Sequence, residues 1–467
     1  MKMALREVAE ALGQQLASAS SSAVTVTGWS IDSRSIQPGD LFFALRGPHH
    51  DGHAYASAVA ASGAVAVVVD RAVEVSCPAI RVPDVYAALR DLAAWARKRW
   101  GGKIVAVTGS AGKTTTKEVI AEMLAVEMRT AKSEGNLNNE IGLPLSLLRI
   151  PDDAQVAVVE LGMNHAGEIR RLAEIARPDV GVVTNVGYAH IENFESIEGI
   201  ATAKRELVEA LGPQGVAVLN ADDPRVAAMQ AAHPGRTILY GQSEKAEVRA
   251  EEVRAEDVPA EDVELERAGV RFRVGSTEFE SRLTGRHNVS NILAGIAVAE
   301  IFGIKPERLR DRVRLLAPGK MRGQRMEVRG ITIYNDCYNS NPDAVRAMLD
   351  VLKDTPAKRR IAVLGEMLEL GRWAETLHRG VGYYAVGCGV NVLVGIGGAA
   401  GFILDAAKSI GLPAGAAFFF DHPTQAGQML RTLASSGDAI LFKGSRGVHV
   451  ERALEEFLQA PDHEGQR

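Results

Sequence analysis

A lysine with three hydroxyl side chains directly behind it, Lys113-Thr114-Thr115-Thr116, follows the small-residue turn Gly109-Ser110-Ala111-Gly112, and that turn follows the apolar run Ile104 to Val107. The order predicts a strand, a phosphate-binding loop and a helix start. Glycines let the backbone turn and aim its N–H groups inward, Lys113 offers a point charge to β- and γ-phosphates, and the Thr114 hydroxyl suits Mg2+. The usual pattern would place its first glycine where this chain has Val107, so the loop is a shorter form, Thr108-Gly109-Ser110-Ala111-Gly112-Lys113-Thr114. The alternative is a surface turn ending in a solvated lysine, and the flanking strand and helix patterns speak against it.

Four polar clusters come after the loop. Asn136, Asn138 and Asn139 make the stretch Gly135 to Gly142 dense in amides. Glu160 closes the apolar run Gln155 to Leu161, His190 follows Val180 to Val186, and Lys204 lies a short way downstream. A buried carboxylate needs a partner or a metal, and Glu160 beside Thr114 would make an oxygen-rich site for Mg2+ next to a triphosphate. Alone, a Glu or His at such a place more often caps or braces the core. The phosphate loop and the strand-end positions favour chemistry here. Nearer the start, Asp32-Ser33-Arg34 and Arg46-Gly47 read equally as surface turns or as hydroxyl and guanidinium groups for a diphosphate.

The elements that must hold these groups are α/β throughout. Residues 1–99 alternate short apolar runs, Ala23 to Thr27, Ala64 to Val69 and Ala79 to Val82, with helical stretches Ala54 to Ala61 and Val85 to Trp95. Residues 100–317 carry buried parallel strands ending in the polar clusters, where ligands sit in doubly wound sheets. After Gln242 a β-branched alternation through Val263 to Phe279 predicts a small antiparallel sheet with one face in water, before a helix from Asn288 to Phe302. Residues 318–467 repeat the rhythm with strands at Ile331 to Tyr334, Ile361 to Leu364, Val392 to Ile396, Ala416 to Phe420 and Ala439 to Phe442, a second doubly wound sheet.

At 467 residues the chain is too long for one core and suits about three domains of roughly 150 residues each. Its hydrophobic share of 46% and charged share of 24% fit folded cores, and a net charge of −5 argues against nucleic acid and against a polybasic membrane patch. Cys77, Cys337 and Cys388 are odd in number and far apart, so neither a disulfide framework nor a zinc site is encoded. Residues Met1 to Leu16 lack a continuous apolar core, and no run reaches the roughly 18 apolar residues of a membrane span. The expectation is a soluble, cytoplasmic, monomeric enzyme without membrane insertion.

Taken in order, these clusters resemble those of the Mur ligases, the ATP-dependent amide-bond-forming enzymes of peptidoglycan synthesis. The likeness covers Asp32 to Arg34, the short loop, Gly135 to Gly142, Glu160 to Gly167, Asn185 to His190, Asn220 to Pro224 and Gly285 to Asn291. It continues through Asn335 to Pro342, Leu364 to Gly371 and Lys443 to Gly447. The last three favour the branch that adds D-alanyl-D-alanine to UDP-MurNAc-tripeptide; the diaminopimelate- or lysine-adding branch would show Asp-Tyr-Ala-His-Thr-Pro where this chain has Cys337 to Pro342.

The resemblance implies an N-terminal UDP-binding domain (1–99), a central ATP-binding domain (100–317) and a C-terminal Rossmann-like domain (318–467). It implies that Gly109, Ser110, Ala111, Gly112, Lys113, Thr114 and Thr115 hold the ATP phosphates while Asn288 and Asn291 face adenine. Thr114 and Glu160 would hold one Mg2+, and His190 with carbamylated Lys204 a second. Arg325 and Asp336 would reach the nucleotide from the C-terminal domain, Arg325 being chosen over Arg322 for the spacing Gly323-Gln324-Arg325-Met326-Glu327. Substrate contacts fall to Ser33, Arg34, Arg46, Gly47, Asn138, Asn139 and Asn339. A carboxylate is a poor acyl donor, so ATP must first make it an acyl phosphate that an amine then attacks. The two anions that meet would repel by about 4 kcal/mol at an effective dielectric of about 20 unless cations stand between them. Folylpolyglutamate synthase, with a similar loop, and a nucleotide-driven switch that makes no bond are the competing expectations.

Overall fold

The computed structural model describes residues 1–16, 24–258 and 267–459, so Ala23 and Val263 of the patterns above lie outside the described residues. It is an α/β structure with four sheets among the described residues. The N-terminal part pairs β1 (Met3–Ala4) with β2 (Thr25–Val26) and stacks β3 (Gly28–Ser30), β4 (Asp40–Phe43), β5 (Ala66–Val69) and β6 (Ala79–Arg81) side by side, all parallel. The helix Val85–Trp100 that follows starts on Asp84, whose carboxylate accepts from the N–H groups of Tyr86 and Ala87, and stops at Gly101 in the left-handed conformation at φ 71°.

That helix ties the N-terminal part to the next. It packs on the helices Gly142–Leu148 and Glu168–Ala176. Its buried Arg97 donates to the Ala176 carbonyl at 2.8 Å and to Asp179 Oδ2 at 3.3 Å. Leu89, Leu92 and Ala96 share one core with Leu143, Leu147, Leu172 and Ala176. The cores are therefore continuous where the sequence placed a boundary.

The central sheet has nine strands: β7 (Lys103–Thr108), β8 (Thr130–Lys132), β9 (Val156–Glu160), β10 (Val180–Val183), β11 (Val216–Asn220), β12 (Arg236–Gly241), β13 (Val248–Val258), β14 (Arg267–Val274) and β15 (Thr277–Ser281). Their spatial order is β15-β14-β13-β12-β11-β10-β7-β9-β8. The chain runs from β7 out to β8, returns to β9, then crosses to β10 on the other side of β7, so the strand order reverses at β7. The carboxyl end of that strand is where such sheets bind ligands. The alternating segment after Gln242 is antiparallel as expected, but it is no separate sheet: β13 pairs in parallel with β12 through Tyr240 and Val248, and Gly241 and Arg249. The reason is burial. Val248, Ala250, Val270, Phe272 and Phe279 join the core under the helix Arg286–Ile301, whose apolar surface needs a longer floor than the parallel strands supply.

The C-terminal sheet has the order β16-β17-β21-β18-β19-β20, from β16 (Gln324–Val328), β17 (Ile331–Asp336), β18 (Arg359–Gly365), β19 (Val392–Ile396), β20 (Ala417–Phe420) and β21 (Asp438–Lys443). All neighbours are parallel except β16, an antiparallel edge strand that the sequence pattern did not reveal. Its alternation is too polar to stand out. This part docks on the central one through Arg372, which donates to the Glu195 carbonyl at 2.8 Å, and Glu192, whose N–H donates to the Glu369 carbonyl at 3.2 Å.

Candidate active site

Lys103–Thr108 is a buried apolar strand that ends at a backbone no side chain could share. A Cβ on Gly109 (φ 152°) would fall 1.8 Å from Thr184 Oγ1, and one on Gly112 (φ 78°) 2.8 Å from Asn291 Oδ1. The loop is braced from the end of β10. Asn185 accepts from the Ala111 N–H at 2.8 Å and donates back to the Ala111 carbonyl at 3.0 Å, while Ser110 Oγ donates to the Gly187 carbonyl at 3.0 Å and accepts from its N–H. Lys113 opens the helix Lys113–Leu124 and donates to the Gly109 carbonyl at 2.8 Å. Burial pushes its ammonium pKa down and Arg322 adds to this, while the Glu160 carboxylate opposes it.

Glu160 ends β9 and is 3% exposed. Thr114 Oγ1 donates to one of its oxygens at 2.7 Å and Asn138 Nδ2 to the other at 2.8 Å. Two hard oxygen donors in contact at the mouth of a phosphate loop fit Mg2+, which takes few protein ligands and completes its shell with water and phosphate oxygen. Among the described residues no group of three or more His, Cys, Asp or Glu is placed to hold a metal ion by itself.

The loop faces a cavity of about 640 Å³ between the central and C-terminal parts. Of the residues predicted, Ser110 to Thr115, Asn138, Asn139, Glu160, His190, Asn288, Asn291, Asp336 and Asn339 line it. Asn291 Nδ2 donates to Asn288 Oδ1 at 2.9 Å near the start of the helix Arg286–Ile301, and Thr116 Oγ1 donates to Asn291 Oδ1 at 3.0 Å. His190 is in the left-handed conformation at φ 61°, and its Nδ1 lies 2.6 Å from Glu369 Oε2, a proximity that holds the Glu369 carboxyl below its usual range.

Other predicted residues stand elsewhere. Gly109, within the loop, is not among the residues that line the cavity. Arg325 does not line the cavity: it sits on the edge strand β16 beside Glu327 at 3.7 Å, and Arg322, in the turn before that strand, takes the place at the wall with its guanidinium over the Tyr338 ring at 3.8 Å. The Gly-x-Arg-x-Glu spacing selected the strand residue, whereas the turn delivers its neighbour. Ser33, Arg34, Arg46 and Gly47 stay in the N-terminal part, away from the cavity wall. Arg34 pairs with Asp32 at 2.6 Å and Arg46 with Asp70 at 2.8 Å. Lys204 is 2% exposed on the helix Ile197–Glu209 and also off the cavity wall. Burial and then the Lys113 ammonium drive its pKa far down.

Sequence reasoning missed Lys443 and Asp343. Lys443 is buried at the end of β21 and donates to Asp336 Oδ2 at 2.5 Å and to the Asn339 carbonyl at 3.0 Å, so the one carboxylate predicted from the C-terminal part is already paired. Its signal was a lysine closing the apolar run Ala439 to Phe442, the pattern that had singled out Glu160. Asp343, in the first turn of the helix Pro342–Asp354, accepts from the Tyr188 N–H at 3.1 Å across the two parts, and burial raises its pKa.

Comparison with known proteins agrees with this geometry. Three family models match in chain order: "Mur ligase family, catalytic domain" over residues 25–125, "Mur ligase middle domain" over 107–299 and "Mur ligase, glutamate ligase domain" over 321–446. The chain is 33% identical to the UDP-N-acetylmuramoyl-tripeptide--D-alanyl-D-alanine ligase of Bacillus subtilis, with 99% of each chain covered. Its fold superposes on a crystal structure of MurF from Acinetobacter baumannii with a TM-score of 0.86 at 28% identity, covering 98% of both chains. The MurF ligase of Thermotoga maritima in complex with ADP superposes with a TM-score of 0.80 at 27% identity, over 92% of this chain and 97% of that one. With a phosphate loop at the switch point, an oxygen pair beside it and relatives alike from end to end, the chain belongs to the Mur ligase family.

Proposed function

We propose that this ligase joins D-alanyl-D-alanine to UDP-N-acetylmuramoyl-tripeptide through an acyl phosphate, releasing ADP and phosphate. The observation that carries the reading is the shared cavity: the loop with Lys113, Thr114 and Glu160 faces the Arg322 guanidinium and the Asp336–Lys443 pair of the C-terminal part, so cations able to neutralise a transferring phosphoryl, Lys113 and Arg322, come from both sides. Thr114 and Glu160 would hold Mg2+, which draws charge from the phosphates when bound. Loop N–H groups and the Lys113 ammonium orient the γ-phosphoryl, and Arg322, closing from the other wall, shields it from water. The amine of the dipeptide then attacks the acyl carbon and inorganic phosphate leaves.

Lys204 belongs to the same proposal as a carbamate. Among the described residues it has no hydrogen-bond or ion-pair partner. Glu206, the nearby carboxylate that could have paired with it, instead accepts from the Gly167 and Arg170 N–H groups at 2.7 and 3.0 Å. Burial favours the neutral amine over the ammonium, and a neutral amine is a nucleophile toward CO2; the N–C bond forms, a proton leaves, and the resulting carbamate anion would be able to join His190 at a second Mg2+. A cytoplasmic, monomeric enzyme with domains at 1–99, 100–317 and 318–467 completes the proposal, and no helix among the described residues is long and apolar enough to cross a membrane. Phosphate release from ATP, measured with UDP-MurNAc-tripeptide present, is expected only when D-alanyl-D-alanine is added. Release that ignores the dipeptide would instead mark a nucleotide-driven switch.

A further inference from the structure

Lys117 stands one turn beyond Lys113 on the helix Lys113–Leu124, is 0% exposed and does not line the large cavity. The reaction proposed above makes no use of it. A lysine is buried this deeply only when its amine is bonded. Its Nζ donates to the Ser133 carbonyl at 2.5 Å and lies 3.1 Å from Glu118 Oε1. Glu118 does not depend on that contact, since Lys132 Nζ is 2.5 Å from its other oxygen. Ser133 directly follows β8, the three-residue outermost strand of the central sheet, which pairs with β9. The Ser133 hydroxyl is buried without a partner, so the residue is held by its main chain: the carbonyl on Lys117, and the N–H on the Val158 carbonyl at 3.0 Å. From there the amide-rich loop turns twice, Leu137 N–H donating to the Glu134 carbonyl at 3.2 Å and Asn138 N–H to the Asn136 carbonyl at 2.8 Å. At its far end the Asn138 carbonyl accepts from the Gly162 N–H at 2.8 Å while Nδ2 reaches Glu160 at 2.8 Å. That end has no slack, because a Cβ on Gly162 would fall 2.9 Å from Asn138 Cγ.

Resting on the Mg2+ site proposed above, we infer that Lys117 is a positioning residue for that site: by holding the Ser133 carbonyl it fixes where the amide loop starts, and through the loop it sets the Asn138 amide that orients Glu160 toward Thr114. The contacts close a circuit, from Thr114 to Glu160, Asn138, the loop, Ser133 and Lys117, and back along one helical turn to Thr114. A carboxylate that takes a metal through one oxygen needs its other oxygen held, and such outer partners govern metal affinity nearly as strongly as the ligands themselves. An apolar residue at 117 would spare the fold a buried amine, but it would leave the Ser133 carbonyl without its donor and the short outer strand free to shift.

Calorimetry of ADP binding, with Mg2+ and with a chelator, reads the site without turnover. Lys117→Met keeps the length of the side chain and removes the donor; it should weaken Mg2+ binding to the ADP complex by about 10–100-fold. Mg2+-free ADP should bind it within about twofold of the unaltered protein, because Ser110 and Asn185 brace the phosphate loop independently. Lys117→Arg retains donors and should fall between, and it carries the same comparison where the methionine variant does not fold. Lys132→Met removes the ion pairs with Glu118 and Glu122 on the outer strand, and should lower the melting temperature while leaving the Mg2+ response intact. Asn138→Ala should weaken Mg2+ by a factor like that of Lys117→Met. The double variant should be within about threefold of the weaker single one, since both act through one loop. Losses that multiply in the double variant, or Lys117 variants that melt lower and keep the full Mg2+ response, overturn the assignment. If ADP binding by the unaltered protein ignores Mg2+, it is the metal site proposed above that fails.

Discussion

Lys113 and Lys204 are two buried amines driven the same way by burial, and their fates separate by what lies near them. Lys113 has the Glu160 carboxylate as a compensating charge; Lys204 has only another cation. Lys113→Ala should lower kcat by about 10²–10³ or more while calorimetry finds UDP-substrate affinity within about twofold, because the charge is used at the transferring phosphoryl and not at the sugar. Lys204→Ala should be almost inactive and partly restored by short carboxylic acids; near-normal turnover of that variant would remove the carbamate from the mechanism. The uncarbamylated protein also has a pH signature. With the folded pKa depressed below the usual lysine value, the unfolded chain binds the extra proton between the two pKa values, so stability is lost as pH falls through that window by up to about 1.4 kcal/mol per pH unit. Lys204→Met should flatten the slope of unfolding free energy just below the ordinary lysine pKa of about 10.4, in CO2-free buffer. Cys337, by contrast, is a packing residue: 1% exposed, its Sγ on the Phe442 carbonyl at 3.4 Å and its thiol pushed up by burial. Alkylation followed by mass spectrometry should find it unreactive with and without ligands.

At the scale of elements, the strand ends place the chemistry and the glycines decide how near two elements come. Gly187, just past β10, faces the helix Pro342–Asp354, and a Cβ there would fall 2.1 Å from Asp343 Oδ2. Gly187→Ala should push that helix away at a cost of about 1–3 kcal/mol in docking and lower kcat. Nucleotide binding by the phosphate loop should survive, since Ser110 and Asn185 brace it from within the central part. Adding Asp343→Ala should recover part of the loss if the clash is the cause; a double variant as poor as the single one would locate the damage in the loop. The alternation of β13 to β15 and the helix Arg286–Ile301 were legible in the chain. The edge strand β16 was not, because a half-exposed strand carrying Gln324, Arg325 and Glu327 has neither period strong enough to show.

For the whole molecule, the question is how the C-terminal part rides on the other two. The N-terminal helix Val85–Trp100 shares an apolar core with the centre, and that core runs on into the C-terminal part through Val345, Leu349 and Met367, while the phosphate-loop side of the seam also carries polar contacts: Arg372 with Glu195, Asn341 with Ser110 and Asp343 with Tyr188. Polar contacts of this kind exchange at low cost when a ligand bridges two parts. An ATP analogue together with the UDP substrate should therefore shrink the radius of gyration in small-angle scattering. Unchanged dimensions in an enzyme that still turns over would rule closure out.

The chain by itself determined the α/β class, the strand-loop-helix at Ile104 to Thr116 and the pairing of Thr114 with Glu160. Each rests on short-range facts: an apolar run, glycines before a lysine, a carboxylate at a strand end. His190 was also legible, as a polar residue closing an apolar run, and Asp336 through the family likeness of Asn335 to Pro342. What the sequence could not settle depended on which elements pack together. Spacing favoured Arg325, but the turn at Gly323 delivers Arg322 to the cavity. Lys443 was one more lysine until β21 settled beside β17 and set it on Asp336. Glu206 was available to Lys204 along the helix until the N-terminus of Glu168–Ala176 claimed it. In each case a contact between segments far apart in the chain decided the role. Such contacts are selected by the burial of whole faces, which no local pattern records.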